Sequence, residues 1–129
     1  MYKIQIINLA AMTNVDLCED KKSECDSLNI HAVKYLADSC KKIDAHLIHI
    51  STDFIFDGEN GPYSEDDKPN PLSYYGLSKL KSEQLLQAHS VSWTILRTII
   101  VFGHFLIRPI CIMLYKKNYI FLHTANNFP

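Results

Sequence analysis

Glycine is scarce in this sequence. Only Gly58, Gly61, Gly76 and Gly103 occur, and none stands in a G-x-G-x-x-G arrangement. The turn that commonly offers backbone amides to a dinucleotide pyrophosphate is therefore missing from it. The four cysteines form no C-x-x-C pair and the six histidines are scattered. That pattern excludes a clustered zinc site and a disulfide framework, and the expectation is reduced thiols and no metal. An excess of charge of one sign is also lacking, since the formal net charge is −1 and acids and bases are interspersed. Nothing here suggests a nucleic-acid or membrane-surface partner. No long apolar run is present either. Arg97, His104, Arg108, Lys116 and Lys117 interrupt the apolar stretch from Ile95 to Leu122, short of the ~20 residues a membrane helix needs. Met1-Tyr2-Lys3-Ile4 has no basic region or small-residue cleavage site of a signal peptide. The expected setting is the cytoplasm.

What remains is an ordinary globular composition, 47% hydrophobic and 21% charged over 129 residues, enough for one core. Ile4 to Ala11 is a β-branched apolar run that reads as a buried strand ending in small residues. Thr13 to Glu24 is polar and is expected to be a loop with a helical turn. Leu28, Ala32, Tyr35, Leu36 and Ser39 recur at helical spacing and predict an amphipathic helix from Ser27 to about Lys41. Ala45 to Ser51 is the next strand. Asp57 to Pro71, with two glycines and three prolines, is a long loop of the kind that often carries function. Tyr74 to His89 reads as a helix with Leu77, Leu80, Leu85 and Leu86 on one face. Ser92 to Val101 is a third strand, broken at Gly103. Strands separated by helices predict an α/β fold with a parallel sheet flanked by helices. His104 to Pro129 has no readable period and is set apart as a tail beyond a domain of residues 1–103.

The strongest chemical signal is Ser73-Tyr74-Tyr75-Gly76-Leu77-Ser78-Lys79 at a helix start. Tyr75 and Lys79 are four apart and share a face. A free phenol titrates near 10. A neighbouring ammonium favours the phenolate and brings the phenol within range of acid–base work. Spacing alone favours a surface aromatic–lysine pair, but context shifts the balance. Ser51-Thr52 closes a predicted parallel strand, at the sheet edge where open α/β folds bind ligands. A hydroxyl there can hold a carbonyl while the phenol protonates it. The plain alternative is that Ser51 and Thr52 only cap a turn.

Together, Ser51-Thr52-Asp53, Phe56-Asp57-Gly58, Pro62-Tyr63, Glu65, Pro69-Asn70-Pro71-Leu72 and Tyr75-Gly76-x-x-Lys79 resemble the dTDP-4-dehydrorhamnose reductase family of extended short-chain dehydrogenases/reductases. Asn8-Leu9-Ala10-Ala11-x-Thr13-x-Val15-Asp16, Leu28-Asn29, Leu96-Arg97-Thr98 and Val101-Phe102-Gly103 extend the resemblance over about Ile4 to Gly103. It implies a partial Rossmann-like fold and reduction of a nucleotide-linked 4-keto-6-deoxy sugar by NADPH or NADH, as in dTDP-rhamnose biosynthesis. It implies that Tyr75 donates the proton, that Lys79 tunes the phenol and holds the nicotinamide ribose, and that Thr52 binds the carbonyl oxygen. Ala10, Ala11, Thr13 and Ser51 would line the cofactor, although the two alanines fit simple packing equally well.

The sequence departs from that family in its missing glycine turn, in Ile100 where an aromatic is common, and after Gly103, where resemblance ends. The regulatory β subunit of methionine adenosyltransferase resembles the same family and binds a partner rather than a substrate, so a non-catalytic relative and a non-functional remnant stay as alternatives. Met12, Cys18, His31, His46 and His49 show no site geometry. Trp93 reads as a core or interface anchor, and Glu65-Asp66-Asp67 as a solvated loop. Without the glycine turn, the chain alone is expected to bind dinucleotide weakly or not at all and to show no reductase turnover. An uncovered sheet edge should favour association between copies.

Overall fold

The computed structural model describes residues 4–98, 110–115 and 119–124, the last two segments by their backbone strands. Five strands form one sheet in the order β1-β2-β3-β5-β4. They are β1 (Gln5–Asn8), β2 (His46–Thr52), β3 (Ser92–Thr98), β4 (Ile110–Tyr115) and β5 (Tyr119–Thr124). β1 runs parallel to β2, with Ile6 beside Leu47 and Asn8 beside His49. β2 runs parallel to β3, with Leu47 beside Trp93 and Thr52 beside Thr98. β5 adds in parallel to β3, and β4 turns back antiparallel on β5. The expected parallel α/β sheet is thus present, and the tail without a readable period supplies two of its strands. The expected continuation of β3 to Val101 and its break at Gly103 lie outside the described residues.

The segment from Thr13 to Glu24 is more helical than its polarity suggests. Asn14 caps α1 (Val15–Asp20) by accepting from the Leu17 amide at 2.9 Å. α2 (Lys22–Asp26) then runs through a π-helical turn, Ser27–His31, into α3 (Ala32–Lys42). Cys18 and Cys25 are fully buried under these turns, behaving as small apolar residues. α4 (Tyr74–Ala88) starts where the Ser73 hydroxyl accepts from the Gly76 amide at 3.1 Å. Tyr74 moors it to the earlier helices, its hydroxyl donating to the Asp26 carboxylate at 2.9 Å.

α3 and α4 lie on one face of the sheet. Val33, Ala37 and Cys40 of α3, Leu47 of β2, Leu86 of α4 and Ile95 of β3 form the main core, with Ala45 and Val91 at its edge. A smaller cluster joins Ile55 and Phe56 to Tyr63 and Leu80. Trp93 is half-buried and packs against the main core. α4 corrects the leucine pattern. Its buried residues are Gly76, Ser78, Lys79, Ser82, Glu83 and Leu86, so five of six positions facing inward are not the expected leucines. Strand alternation explains this. On β2 the helix-facing residues pass from Leu47 to His49 to Ser51, apolar to polar toward the strand end, and α4 answers each with a partner of the same kind.

Gly76 marks the closest approach of α4 to the turn after β2. A Cβ there would stand 2.2 Å from the Phe54 carbonyl oxygen and 3.2 Å from Pro71 Cβ. The close atom is backbone, so it cannot step aside as a side chain could. Gly76→Ala should therefore destabilise the fold by about 1–3 kcal/mol or more, read as a lower urea midpoint. An unchanged midpoint would mean that α4 is free to ride away from the sheet.

Candidate active site

The C-terminal ends of β1 and β2 and the first turns of α4 enclose a cavity of about 440 Å³. Ala10, Ala11 and Thr13 form one wall and Ser51, Thr52 and Phe54 the floor, with Tyr75 and Lys79 on the α4 side. Every residue expected from the sequence to act at the site, or to line the cofactor, is in this one lining.

Thr52 ends β2 and caps the 3₁₀ turn Asp53–Ile55, its hydroxyl oxygen accepting from the Phe54 amide at 3.2 Å. The same hydroxyl donates to Asp53 Oδ1 at 3.2 Å, and it lines one cavity with the Tyr75 phenol, where its proximity favours the phenolate. The Phe54 ring meets the Tyr75 ring edge-on, with centroids 5.9 Å apart. Thr52 and Tyr75 thus converge on one side of one cleft. Lys79 is 2% exposed, and its ammonium donates to the Ile50 carbonyl at 2.6 Å.

The electrostatics differ from the sequence expectation in one respect. The Tyr75 phenol is raised above its ordinary value, by burial first, against the opposing Thr52 hydroxyl and with help from the nearby Cys18 and Asp53. Lys79 is not among the groups that lower the phenol; its ammonium is directed to the Ile50 carbonyl. Burial in turn pushes Lys79 down to about 8, with Glu83 acting the other way.

Ser51 also departs from expectation. It lines the cavity, yet its hydroxyl donates away from it, to Glu83 Oε1 at 2.5 Å. Glu83 is fully buried and holds Arg97 with Nη2 to Oε2 at 2.7 Å and Nε to Oε1 at 3.1 Å. Arg97 reaches on to the Glu65 carbonyl at 3.2 Å and lies over the Phe56 ring. The loop from Asp57 to Pro71 is stapled by Asp57, which accepts from the Tyr63 hydroxyl and from the Asn70 side chain at 2.9 Å. Those bonds, Tyr63 first, hold the Asp57 carboxyl down at about 2. Beside this loop, Asp53, Phe54, Phe56, Gly58, Tyr63 and Leu72 line a second cavity of about 340 Å³.

Two buried polar residues stand behind the cavity: Asn29, which the sequence matched to the family, and His49, which it did not place at the site. Asn29, in the π-helical turn, accepts from the Met12 amide at 2.8 Å and donates to the Met12 carbonyl at 3.0 Å and to the Ser78 hydroxyl at 2.9 Å. It fastens the cavity wall to α4. His49, expected to be an edge or packing residue, is fully buried with Nε2 3.4 Å from Lys79 Nζ. Burial and the Lys79 charge lower it to about 3. A polar residue on the core-facing side of a strand is the one signal that could have found it. His46, at the start of β2, bridges to Ser92 and Thr94 of β3 at 2.7 and 2.8 Å. Among the described residues no group of His, Cys, Asp and Glu is placed to hold a metal, and no helix is long and apolar enough to cross a membrane.

A family model described as the RmlD substrate binding domain matches residues 2–122. The chain belongs to this family. The matched span reaches past Gly103, where the resemblance was expected to stop. A dTDP-4-dehydrorhamnose reductase of Aggregatibacter actinomycetemcomitans is 43% identical over 101 residues, 78% of this chain and 34% of that protein. The methionine adenosyltransferase 2 subunit beta of Danio rerio is 42% identical over 98 residues, 76% of this chain and 30% of that protein. The crystal structure of a Bacillus anthracis dTDP-4-dehydrorhamnose reductase in complex with NADP superposes with a TM-score of 0.74 at 31% identity, covering 80% of this chain and 37% of that one. The chain thus spans about a third of the length of these relatives, and its fold is the Rossmann-like fold of the family's solved reductases.

Two outcomes follow for stability. Glu83→Ala strips a buried guanidinium of its carboxylate and should cost about 3–5 kcal/mol, seen in urea unfolding. A loss under about 1 kcal/mol would show that Arg97 is satisfied without it. The second concerns pH. The unfolded chain protonates His49 from about 6.5 downward, whereas the folded chain resists until about 3. The unfolded state then binds more protons in that window, so stability falls as pH drops through it. His49→Gln should flatten the slope of stability against pH between those values. An unaltered slope would place the titration elsewhere.

Proposed function

We propose that this chain carries the catalytic corner of a cytoplasmic NADPH- or NADH-dependent reductase acting on a nucleotide-linked 4-keto-6-deoxy sugar. The observation that carries the reading is that Thr52, at the end of a parallel strand, meets Tyr75 and the buried Lys79, one helical turn on, in the lining of one cavity. Tyr75 gives its phenolic proton to the substrate carbonyl oxygen as that oxygen takes on negative charge. Thr52 hydrogen-bonds the same oxygen and keeps it within reach of the phenol. Lys79 holds the ribose hydroxyls of the dinucleotide and, once turned from the Ile50 carbonyl toward the cavity, favours the phenolate that remains. Ala10 and Ala11 leave room for a flat ring or ribose beside Thr13, and Ser51 supports the floor through Glu83. The dinucleotide, when bound, supplies the hydride. The residues present fit its nicotinamide-ribose end, where an ammonium and small side chains meet in one cavity. A glycine turn for its pyrophosphate is absent from the sequence. In this reading residues 1–103 form the partial dinucleotide-binding unit.

A second reading rests on the nearly equal identity to the methionine adenosyltransferase subunit. The site would then be kept without turnover, and the fold would serve a protein partner.

The assay that separates them follows NADPH oxidation with a dTDP-4-keto-6-deoxy sugar in a full-length reductase carrying this segment, with Tyr75 intact and as Tyr75→Phe. The reductase reading expects turnover that falls at least a hundredfold in the variant with dinucleotide affinity kept, the scale of a lost general acid. A loss under about tenfold would remove Tyr75 from that role. No turnover in that full-length protein with Tyr75 intact would favour the partner-binding reading.

A further inference from the structure

Lys79 is not held by the Ile50 carbonyl alone. Behind it runs a chain of hydrogen bonds whose direction can be followed donor by donor. The Ala10 amide donates to Asn8 Oδ1 at 3.1 Å. That contact fixes which end of the Asn8 amide carries hydrogen, so its Nδ2 donates to His49 Nδ1 at 3.2 Å. An accepting Nδ1 makes His49 a neutral imidazole with its proton on Nε2. Nε2 then donates to the Ser82 hydroxyl at 3.0 Å, and Ser82 donates to the Lys79 carbonyl at 2.7 Å. Asn8, His49, Ser82 and Lys79 are each no more than 5% exposed, so the links from Asn8 onward are protected from water.

The chain starts at Ala10 on one wall of the strand-end cavity and ends on Lys79 on the other. It crosses β1, β2 and α4, and so fixes the width of the cavity between those walls. It also decides where the ammonium can sit. The Lys79 Nζ lies 3.4 Å from His49 Nε2, and both nitrogens carry hydrogen. Two donors cannot bond each other, so Lys79 is turned off the imidazole and onto the Ile50 carbonyl. With His49 in the other tautomer, Nε2 would accept from Lys79 and draw the ammonium inward, away from the cavity.

We propose that Asn8, His49 and Ser82 are positioning residues that present Lys79 to the dinucleotide through this one-way chain. The inference rests on the reductase reading for what Lys79 binds, and on the hydrogen-bond geometry for how it is held.

Two measurements test it. Long-range proton–nitrogen spectra of the imidazoles in the wild-type protein should show His49 protonated on Nε2 and bare on Nδ1. A bare Nε2, or a doubly protonated ring at neutral pH, overturns the proposal. Fluorescence titration with NADPH then compares variants. His49→Ala should weaken binding about tenfold, since small misplacements of a positioning group cost that much or more. His49→Gln keeps an acceptor and a donor on one side chain and should recover to within about threefold. Equal affinity of wild type and His49→Ala overturns the proposal, as does a His49→Gln variant no better than alanine. Lys79→Ala separates the two levels. If it leaves NADPH affinity untouched, the reductase reading fails and the imidazole spectrum alone decides the geometry. If Lys79→Ala weakens binding and His49→Ala does not, only the positioning role fails.

Discussion

The packing of α4 against β2 through a buried polar seam is the constraint on which the rest depends. At one end of this contact the core is ordinary, with Leu47 under Leu86 and Val33. Toward the strand end it becomes a row of polar groups: His49 with Ser82, the Ile50 carbonyl with Lys79, Ser51 with Glu83 and Arg97. Buried polar groups are costly unless each is matched, and among the described residues no buried side-chain nitrogen or oxygen is without a partner. Matching of this kind tolerates little sliding. A shift of α4 by one residue along β2 would break every one of these pairs at once. The seam therefore sets the register that brings Tyr75 to Thr52, and Gly76 permits the close approach by leaving room for the Phe54 carbonyl.

That constraint explains the electrostatic state of the cavity. The same burial that matches Lys79 with a carbonyl also lowers its affinity for a proton and raises the Tyr75 phenol. The two groups are close in sequence and share a cavity, yet in this structure they do not neutralise one another. A dinucleotide ribose that competes with the Ile50 carbonyl for the ammonium would supply the missing coupling under the proposed mechanism. Site assembly would then be completed by binding, with the hydroxyl pair already in place.

The parallel order of the first three strands was legible because β-branched runs alternate with helical periodicity. The cluster of Ser51, Thr52, Tyr75 and Lys79 was legible because strand end and helix start are where such a fold gathers ligand groups. The inward face of α4 was not. Its leucines marked the packed side, with Leu86 buried and Leu80 and Leu85 against the core, but Lys79, Ser82 and Glu83 are buried beside Leu86, with partners that only pairing in space creates. His49 was missed for the same reason: its partner Ser82 is 33 residues away. Asn29 was picked out by the resemblance, though its bond to Ser78, 49 residues away, was not. The helical turns around Cys18 and Cys25 were hidden by polar neighbours, and β4 and β5 by the lack of any period in the tail.

The central claim is that the strand-end cavity between Ala10 and Lys79 receives the nicotinamide end of a dinucleotide. Adding NADP⁺ to isotope-labelled protein and mapping the resonances that move tests it most directly, since even millimolar binding registers. The account predicts that Ala10, Ala11, Thr13, Thr52, Tyr75 and Lys79 shift together along one saturation curve, while Gly58 and Tyr63 beside the second cavity stay still. Shifts centred on Gly58 and Tyr63, or none at millimolar nucleotide, would contradict it.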